Sequence, residues 1–427
     1  MSRERHEGDS PAILAAFALV HVVLFAVVYQ TIYIVGYSGI GLYFADVSRL
    51  FARQVPYRDF VLEYPPFAIV FFALPRFFAS SYLGYYRGFQ AEIIVCDLLI
   101  LAMLDAIARA RGERRALLLG AYTVFTLAVG PIAGQQFDLF PAAMTLLAVY
   151  FAARSRRAPV WILLALGTLT KLYPLLLAPV FLLRDVRRRD WRAIGQAAAL
   201  GAATIVVVML PLFIVAPTAI RSFFAYHAKR GLQIESTYAG WLLVVDNLRL
   251  IYLGISNSFG SWNVTGQYAD FVAALSTIVF VAALGGAYLW LARELPIRPA
   301  QQELDPARLY GIIAAAVLVV VFTILVTSKV FSPQYLIWAL PLVPLVDGKH
   351  RRTIWGLYTL AGVMTYYIFP THYGQLINAD DGAVITMLVI RNLLVLVLGL
   401  LAAAAVRDSV RAAAGNAGDT STAPTPA

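Results

Sequence analysis

The chain has 427 residues, of which 60% are apolar and 14% charged, and its mean hydropathy is +0.74. Soluble globules hold about 45–50% apolar residues, so a soluble fold is excluded, and the missing alternation of strand-length segments excludes an outer-membrane barrel. The net charge of +10 gathers in short Arg-rich loops, which reads as positive-inside topology and gives no nucleic-acid partner, while the lone Cys96 allows neither an intrachain disulfide nor a cysteine metal site.

In chain order, residues 1–10 are polar and form a cytoplasmic N-terminus. Residues 11–34 make the first span, too long for a signal-peptide core and without a cleavage pattern. A first extracytoplasmic loop, 35–86, carries Asp46, Arg49, Arg53, Arg58, Asp59 and Glu63. Its apolar part, 67–79, follows Pro65-Pro66, contains Pro75 and is short, so it reads as an interfacial or re-entrant helix. With 67–79 not crossing, spans at 89–108, 116–133 and 137–153 place the arginines of 109–115 and 154–157 in the cytoplasm.

The basic runs 154–157 and 184–192 both belong in the cytoplasm, yet only the apolar stretch 159–183 separates them. A helical hairpin broken at Thr170-Lys171-Leu172-Tyr173-Pro174 satisfies both flanks; one long span with a misplaced charge cluster is the alternative. A span at 193–215, a second large extracytoplasmic loop at 216–270, and spans at 271–292, 309–327, 334–346, 353–370 and 383–405 follow. Residues 347–352 fall in the cytoplasm, and 406–427 form a disordered cytoplasmic tail. The fold class is therefore an all-α integral membrane bundle of about 10–12 transmembrane helices, with 11–405 as its catalytic domain and interfacial helices in the first loop.

On this topology the polar groups converge on one face. They are Asp46 with Arg58-Asp59 and Glu63, the segment Tyr226–Ser236, the segment Thr327–Tyr335, and Thr371-His372-Tyr373 with Gln375. Lys171 points to the same level from the hairpin tip, and Gly134–Asp138 could join. Lys171, Lys329, Arg230 and His227 suit an anionic lipid phosphate. A carboxylate beside them could take the proton of an incoming hydroxyl, and fixed cations could hold a phosphate leaving group. The chemistry that fits is transfer of a group from a lipid-linked phosphate to a hydroxyl. Arg58 with Asp59 could instead be a surface ion pair, and Lys171 and Lys329 could be snorkelling anchors. A transporter or flippase is the rival reading; it would place its polar cluster near the midplane and show paired broken helices. No Walker, GxGxxG or HExxH pattern is present, so no soluble-nucleotide donor has a visible site.

Four stretches resemble one known family: Pro56-Tyr57-Arg58-Asp59-Phe60 with Glu63-Tyr64-Pro65-Pro66; Thr170-Lys171-Leu172-Tyr173-Pro174; Arg230-Gly231-Leu232-Gln233-Ile234-Glu235-Ser236; and Phe331-Ser332-Pro333-Gln334-Tyr335-Leu336-Ile337-Trp338. The chain is thereby similar to glycosyltransferase family 87, the polyprenyl-phosphate-mannose-dependent mannosyltransferase-like group, over about 40–345. The resemblance implies a GT-C fold in the plasma membrane, both termini cytoplasmic and the active site extracytoplasmic. It implies transfer of a hexose, expected to be mannose, from a polyprenyl-phosphate sugar donor to a glycolipid or glycan acceptor. In such folds the base is a first-loop aspartate just ahead of a tyrosine; the stretch before Tyr43 has none, and Asp46 is the next carboxylate.

The catalytic candidates are then Asp46, Asp59 and Glu63. Lys171, Arg230 and Lys329 would hold the donor phosphate, and His227, Gln233 and Glu235 would position sugar or acceptor. Arg58, Tyr64, Tyr173, Ser236, Ser332, Gln334, Tyr335 and His372 complete the expected substrate-binding set. No cofactor is required, and a divalent cation is not favoured because the first loop offers no tight ligand cluster.

Overall fold

In the computed structural model the described residues are 11–31, 39–295, 305–379 and 381–419, with side chains up to 412. The cytoplasmic start expected at 1–10, and the part of the expected tail from 420 onward, lie outside them.

A backbone in lipid must satisfy its own hydrogen bonds, so the apolar runs become helices. Helix α1 is Pro11–Val23, prolonged by a π turn at Leu24–Val28. Helix α2, Gly39–Phe51, buries Ile40, Tyr43, Asp46 and Val47, a three-to-four-residue spacing that defines one inward face. Helix α3, Ala68–Phe78, has 11 residues and carries Pro75, short for a span as expected. Helix α4, Tyr82–Arg111, starts where Ser81 accepts from the Gly84 amide and stops at Gly112, whose φ of 64° suits a residue without Cβ. Helices α5 (Arg115–Val129), α6 (Leu139–Ala153), α7 (Arg157–Thr170), α8 (Tyr173–Arg188) and α9 (Trp191–Val215) follow.

The second large loop is built, not loose. Helix α10 is Ala219–Ala228, strand β1 Leu232–Gln233, helix α11 Thr237–Asn247, and strands β2 Gly254–Ser258 and β3 Ser261–Thr265 form an antiparallel hairpin. The three strands pair in the order β1-β3-β2, a small sheet absent from the sequence reading. Then come α12 (Gln267–Glu294), α13 (Pro306–Thr327), α14 (Arg351–Tyr366), α15 (Tyr373–Asn378) and α16 (Gly382–Asp419). Helix α16 continues well past 405, so the stretch read as tail begins as helix.

Five of these helices are long and apolar enough to cross a membrane: Pro11–Val28, Trp191–Val215, Gln267–Glu294, Pro306–Thr327 and Gly382–Ala412. Helix α13 is the axis of the bundle, with 83% of its apolar window buried, and packs chiefly on α16 and α12.

Residues 334–346, expected as a helical span, are not α-helical. They form 3-10 turns at Pro333–Trp338 and Val343–Leu345, because Pro333, Pro341 and Pro344 remove the amide donors that a helix needs. The segment still traverses the protein. It leaves Lys329 at one end and reaches Asp347, paired with Arg111, at the other. Its carbonyls are satisfied from neighbouring helices: Tyr358 donates to Leu336 O at 2.7 Å, Trp355 to Val343 O at 3.0 Å, and Arg111 to Leu345 O at 2.9 Å.

The pairing of α7 and α8 fits the expected hairpin. Arg157 and Asp185 close its base at 3.0 Å, and Lys171 sits in the two-residue break at its tip. Further ion pairs gather at the base end: Arg351–Glu113 at 3.0 Å, Arg407–Glu294 at 2.8 Å and Lys349–Asp408 at 3.4 Å. The bundle therefore has a basic end and, across its length, a second polar end.

Candidate active site

The second end is assembled from four parts of the chain. The first loop leaves α2 and turns through Pro56–Phe60, where the Tyr57 amide donates to Phe60 O at 2.9 Å. Tyr57 packs its ring against Phe223 of α10, and its hydroxyl donates to Tyr64 O. The loop then docks on the hairpin tip, with the Phe67 amide donating to Leu169 O at 2.8 Å. Tyr64 is thereby brought against Phe137, the ring that also faces the Lys171 ammonium.

Lys171 is held firmly. Its Nζ lies 2.5 Å from Oδ1 of Asp138, the residue preceding α6, and the same oxygen accepts from Trp338 Nε1 at 2.7 Å. The ammonium sits over the rings of Phe137, Tyr335 and Trp338, at 4.8, 5.0 and 5.5 Å. Trp338 is sandwiched between Tyr173 at 4.2 Å and Tyr335 at 4.1 Å. Asp138 is fully buried, and its second oxygen has no hydrogen-bond partner.

Above this pair lie the remaining charges. Tyr64 packs edge-on against Phe137 and feels Glu63, Asp138 and Arg230 together, so it links the two levels. Glu63 contacts the Tyr226 hydroxyl, and it abuts Gly260 so closely that a Cβ there would collide with the carboxylate. Phe259 and Gly260 both have positive φ, 51° and 67°, the tight turn that joins β2 to β3. Lys329 Nζ donates to Arg230 O at 2.6 Å, fixing the Arg230 backbone, while Arg230 Nε is buried without a hydrogen-bond partner. Burial lowers the pKa of Lys329, and neighbouring Arg230 adds to the effect. His227 donates from Nδ1 to Phe223 O, 3.0 Å away; burial chiefly holds its imidazole below the ordinary range.

Asp46 is the carboxylate that faces inward from α2, with 4% exposure. Burial pushes it up to about 7, opposed by Arg49 and reinforced by the like charge of Glu63. Asp59 is placed differently. It is exposed, held by Arg58 at 2.9 Å on both oxygens, and it accepts from the Val55 amide at 2.8 Å. Those hydrogen bonds, the Arg58 one foremost, hold its pKa down to about 2. Arg58 also donates to Val215 O, so both are engaged in a surface turn away from the cluster.

Several expected substrate residues carry structural contacts. Gln233 accepts from the Phe331 amide at 2.9 Å and donates to Glu235 at 3.2 Å. Glu235 is fully buried, 3.8 Å from the buried Arg391, whose guanidinium lies over Phe331. Ser236 caps α11, accepting from the Ala239 amide at 3.1 Å. Ser332 is buried ahead of the first 3-10 turn, and Gln334 is half-buried within it. His372 stacks on Tyr367 at 3.9 Å and bonds its carbonyl, outside the charge cluster.

The sequence reading did not name Gly260 or Arg391. For Arg391 the signal was a lone guanidinium inside an apolar span; for Gly260 it was a glycine in a Ser- and Asn-rich stretch, a weak mark. Among the described residues no group of three or more His, Cys, Asp or Glu is arranged to hold a metal ion.

The arrangement thus sets a carboxylate, pushed up to about 7 by burial, toward a second carboxylate, Glu63, which shares its surroundings with Arg230 and Lys329. It can take a proton from a hydroxyl and hold an anionic group within a few side chains of it. The polar cluster stands at one end of the bundle. Residues 60–305, more than half of the 427, match the family model of glycosyltransferase family 87. No curated protein matches the chain.

Proposed function

From the premise that the chain belongs to glycosyltransferase family 87, and is a membrane glycosyltransferase, we propose that it moves a hexose from a polyprenyl-phosphate sugar to a glycolipid or glycan hydroxyl. Mannose is the sugar we favour, and the extracytoplasmic face of the plasma membrane the place, in a GT-C-type fold with both termini cytoplasmic. The observation that carries the reading is the buried Asp46, pushed up to about 7 and facing Glu63, which in turn shares the surroundings of His227 with the cations Arg230 and Lys329.

In this proposal Asp46 accepts the proton of the acceptor hydroxyl as its oxygen bonds to the anomeric carbon. The bond from that carbon to the phosphate oxygen breaks, and the electron pair leaves with the polyprenyl phosphate. Arg230 and Lys329 hold that phosphate, with Lys171 beneath them, so the leaving charge needs no proton. Glu63, fixed by Tyr226 and the Gly260 turn, orients Asp46 and the acceptor. No step calls for a cofactor. A cavity of about 430 Å³ lined by Leu50, Tyr57, Ile69, Val208 and Leu212 flanks the first loop and suits an isoprenoid tail.

The experiment is a transfer assay with a panel of radiolabelled polyprenyl-phosphate sugars, run on wild type, Asp46→Asn, Asp59→Asn and Glu63→Gln. Label should pass from a mannosyl donor in wild type and Asp59→Asn and fail in Asp46→Asn. Transfer unimpaired in Asp46→Asn would remove it as the base.

A further inference from the structure

Arg391 lies within α16, a helix long and apolar enough to cross a membrane, and is fully buried, where a guanidinium is costly unless it is used. Its surroundings satisfy it only in part. Among the described residues its Nε and Nη1 have no hydrogen-bond partner, and neither has Oε1 of Glu235, 3.8 Å from Nη2. A buried pair so incompletely bonded is weak evidence for stability, since apolar replacement of both partners is often neutral. Its contacts instead describe a clamp. Arg391 Nη2 donates to Glu235 O at 3.3 Å, and Asn392, the next residue, donates to the same carbonyl at 3.2 Å. The guanidinium also lies over the Phe331 ring at 4.1 Å. Gln233 ties these two segments to each other. Its amide donates to Lys329 O at 3.0 Å, its Oε1 accepts from the Phe331 amide at 2.9 Å, and its Nε2 donates to Glu235 Oε2 at 3.2 Å. Lys329 Nζ closes the loop, donating to Arg230 O at 2.6 Å and to Ala228 O at 3.3 Å.

We propose that Arg391 is a positioning residue: from the last span, through Glu235 and Phe331, it clamps 230–235 against 329–331 and so sets the spacing of Arg230 and Lys329 at the donor phosphate. The inference rests on the phosphate-holding role proposed for those two cations. Fully buried, Arg391 acts on the reaction only through this backbone. Cations fixed in place stabilise a leaving phosphate without reorganising as charge develops, whereas loosely held ones can still bind the donor. Loosening the clamp should therefore lower kcat more than it raises KM.

The full chain in nanodiscs is compared with Arg391→Met plus Glu235→Gln, which leaves no member of the pair as an uncompensated buried charge, and with Arg391→Lys. Hydrogen exchange read by mass spectrometry comes first, because it needs no substrate. Peptides covering 230–236 and 328–334 should exchange at least about tenfold faster in the double variant, the value of one hydrogen bond to a charged group, while α13 exchanges as in wild type. In hexose transfer from the polyprenyl-phosphate sugar panel, kcat should fall about tenfold with donor KM moving far less. Arg391→Lys, which keeps the charge but not the planar fork, should recover part of the loss. In a Lys329→Gln background the double substitution should cost less than it does alone, as an effect carried through Lys329 must. Unchanged exchange in the two peptides, or exchange raised throughout the chain, overturns the inference, as does a wild-type kcat or a loss that simply multiplies with that of Lys329→Gln. A wild type that transfers no sugar would sink the proposed function, while the exchange result still decides the clamp. If the double variant fails to fold, Asn392→Ala, which removes one donor to Glu235 O, gives the same exchange test.

Discussion

Lys171 Nζ lies 2.5 Å from Asp138 Oδ1, joining the tip of the α7–α8 hairpin to the residue that opens α6. The bond fixes the floor of the charge cluster, and breaking it should be costly. Removing one partner of a buried pair leaves the other uncompensated, typically about 3–5 kcal/mol. Lys171→Met should therefore lower the thermal midpoint sharply in detergent melts. Asp138→Leu with Lys171→Met should restore much of it by removing both charges, while donor turnover stays low because the cation is gone. Full turnover in the double variant would show the pair to be purely structural.

Asp46 titrates at about 7 because burial disfavours its charged form. As a base it works deprotonated, so turnover should rise as pH climbs through about 7 and level off above it. Asp46→Asn should lose about 10²–10⁴-fold in kcat and flatten that limb. A pH–rate series on both proteins checks the prediction.

Arg230 and Lys329 should matter through the leaving phosphate. Arg230→Gln should cost on the order of 10–100-fold in kcat/KM, the value of a hydrogen bond to a charged group. Lys329→Gln should do more, since Lys329 also holds the Arg230 carbonyl at 2.6 Å. Steady-state kinetics with donor varied, beside circular dichroism to exclude unfolding, separates the two.

Arg58 and Asp59 make an exposed pair, and solvent screens such pairs so that they add little to stability. Asp59→Asn should leave turnover within about twofold of wild type and move the melt by little. A loss of activity comparable to that of Asp46→Asn would return Asp59 to the catalytic set.

Gly260 touches the Glu63 carboxylate from a turn at positive φ. Gly260→Ala should displace Glu63 and strain the turn, lowering kcat with a smaller change in KM, and the effect should be weaker when Glu63 is already Gln. A double-mutant kinetic cycle reads the coupling.

Much of the architecture was legible because lipid imposes one rule on backbone: long apolar runs must be helices. The hairpin was legible from charge alone, since 154–157 and 184–192 demanded the same side. What failed had a local cause. Residues 334–346 were apolar enough to read as a span, but three prolines outweighed hydropathy. The sheet of 232–265 was missed because its strands are two to five residues long, and only Ser261–Thr265 alternates polar with apolar, over too short a run to stand out. In the site, the motifs put Asp59 with Glu63 among the catalytic candidates and Glu235 among the substrate-binding residues. Only the fold shows that Glu235 faces Arg391, that Asp59 faces solvent, and that Glu63 faces the cluster.

The non-helical crossing at 333–346 also constrains how this protein can be made. A nascent helix enters the bilayer with its amides already satisfied, whereas this stretch depends on Tyr358 and Trp355, residues synthesised after it, and on Arg111, made long before. Two of its carbonyls gain their partners only once α14 stands beside it.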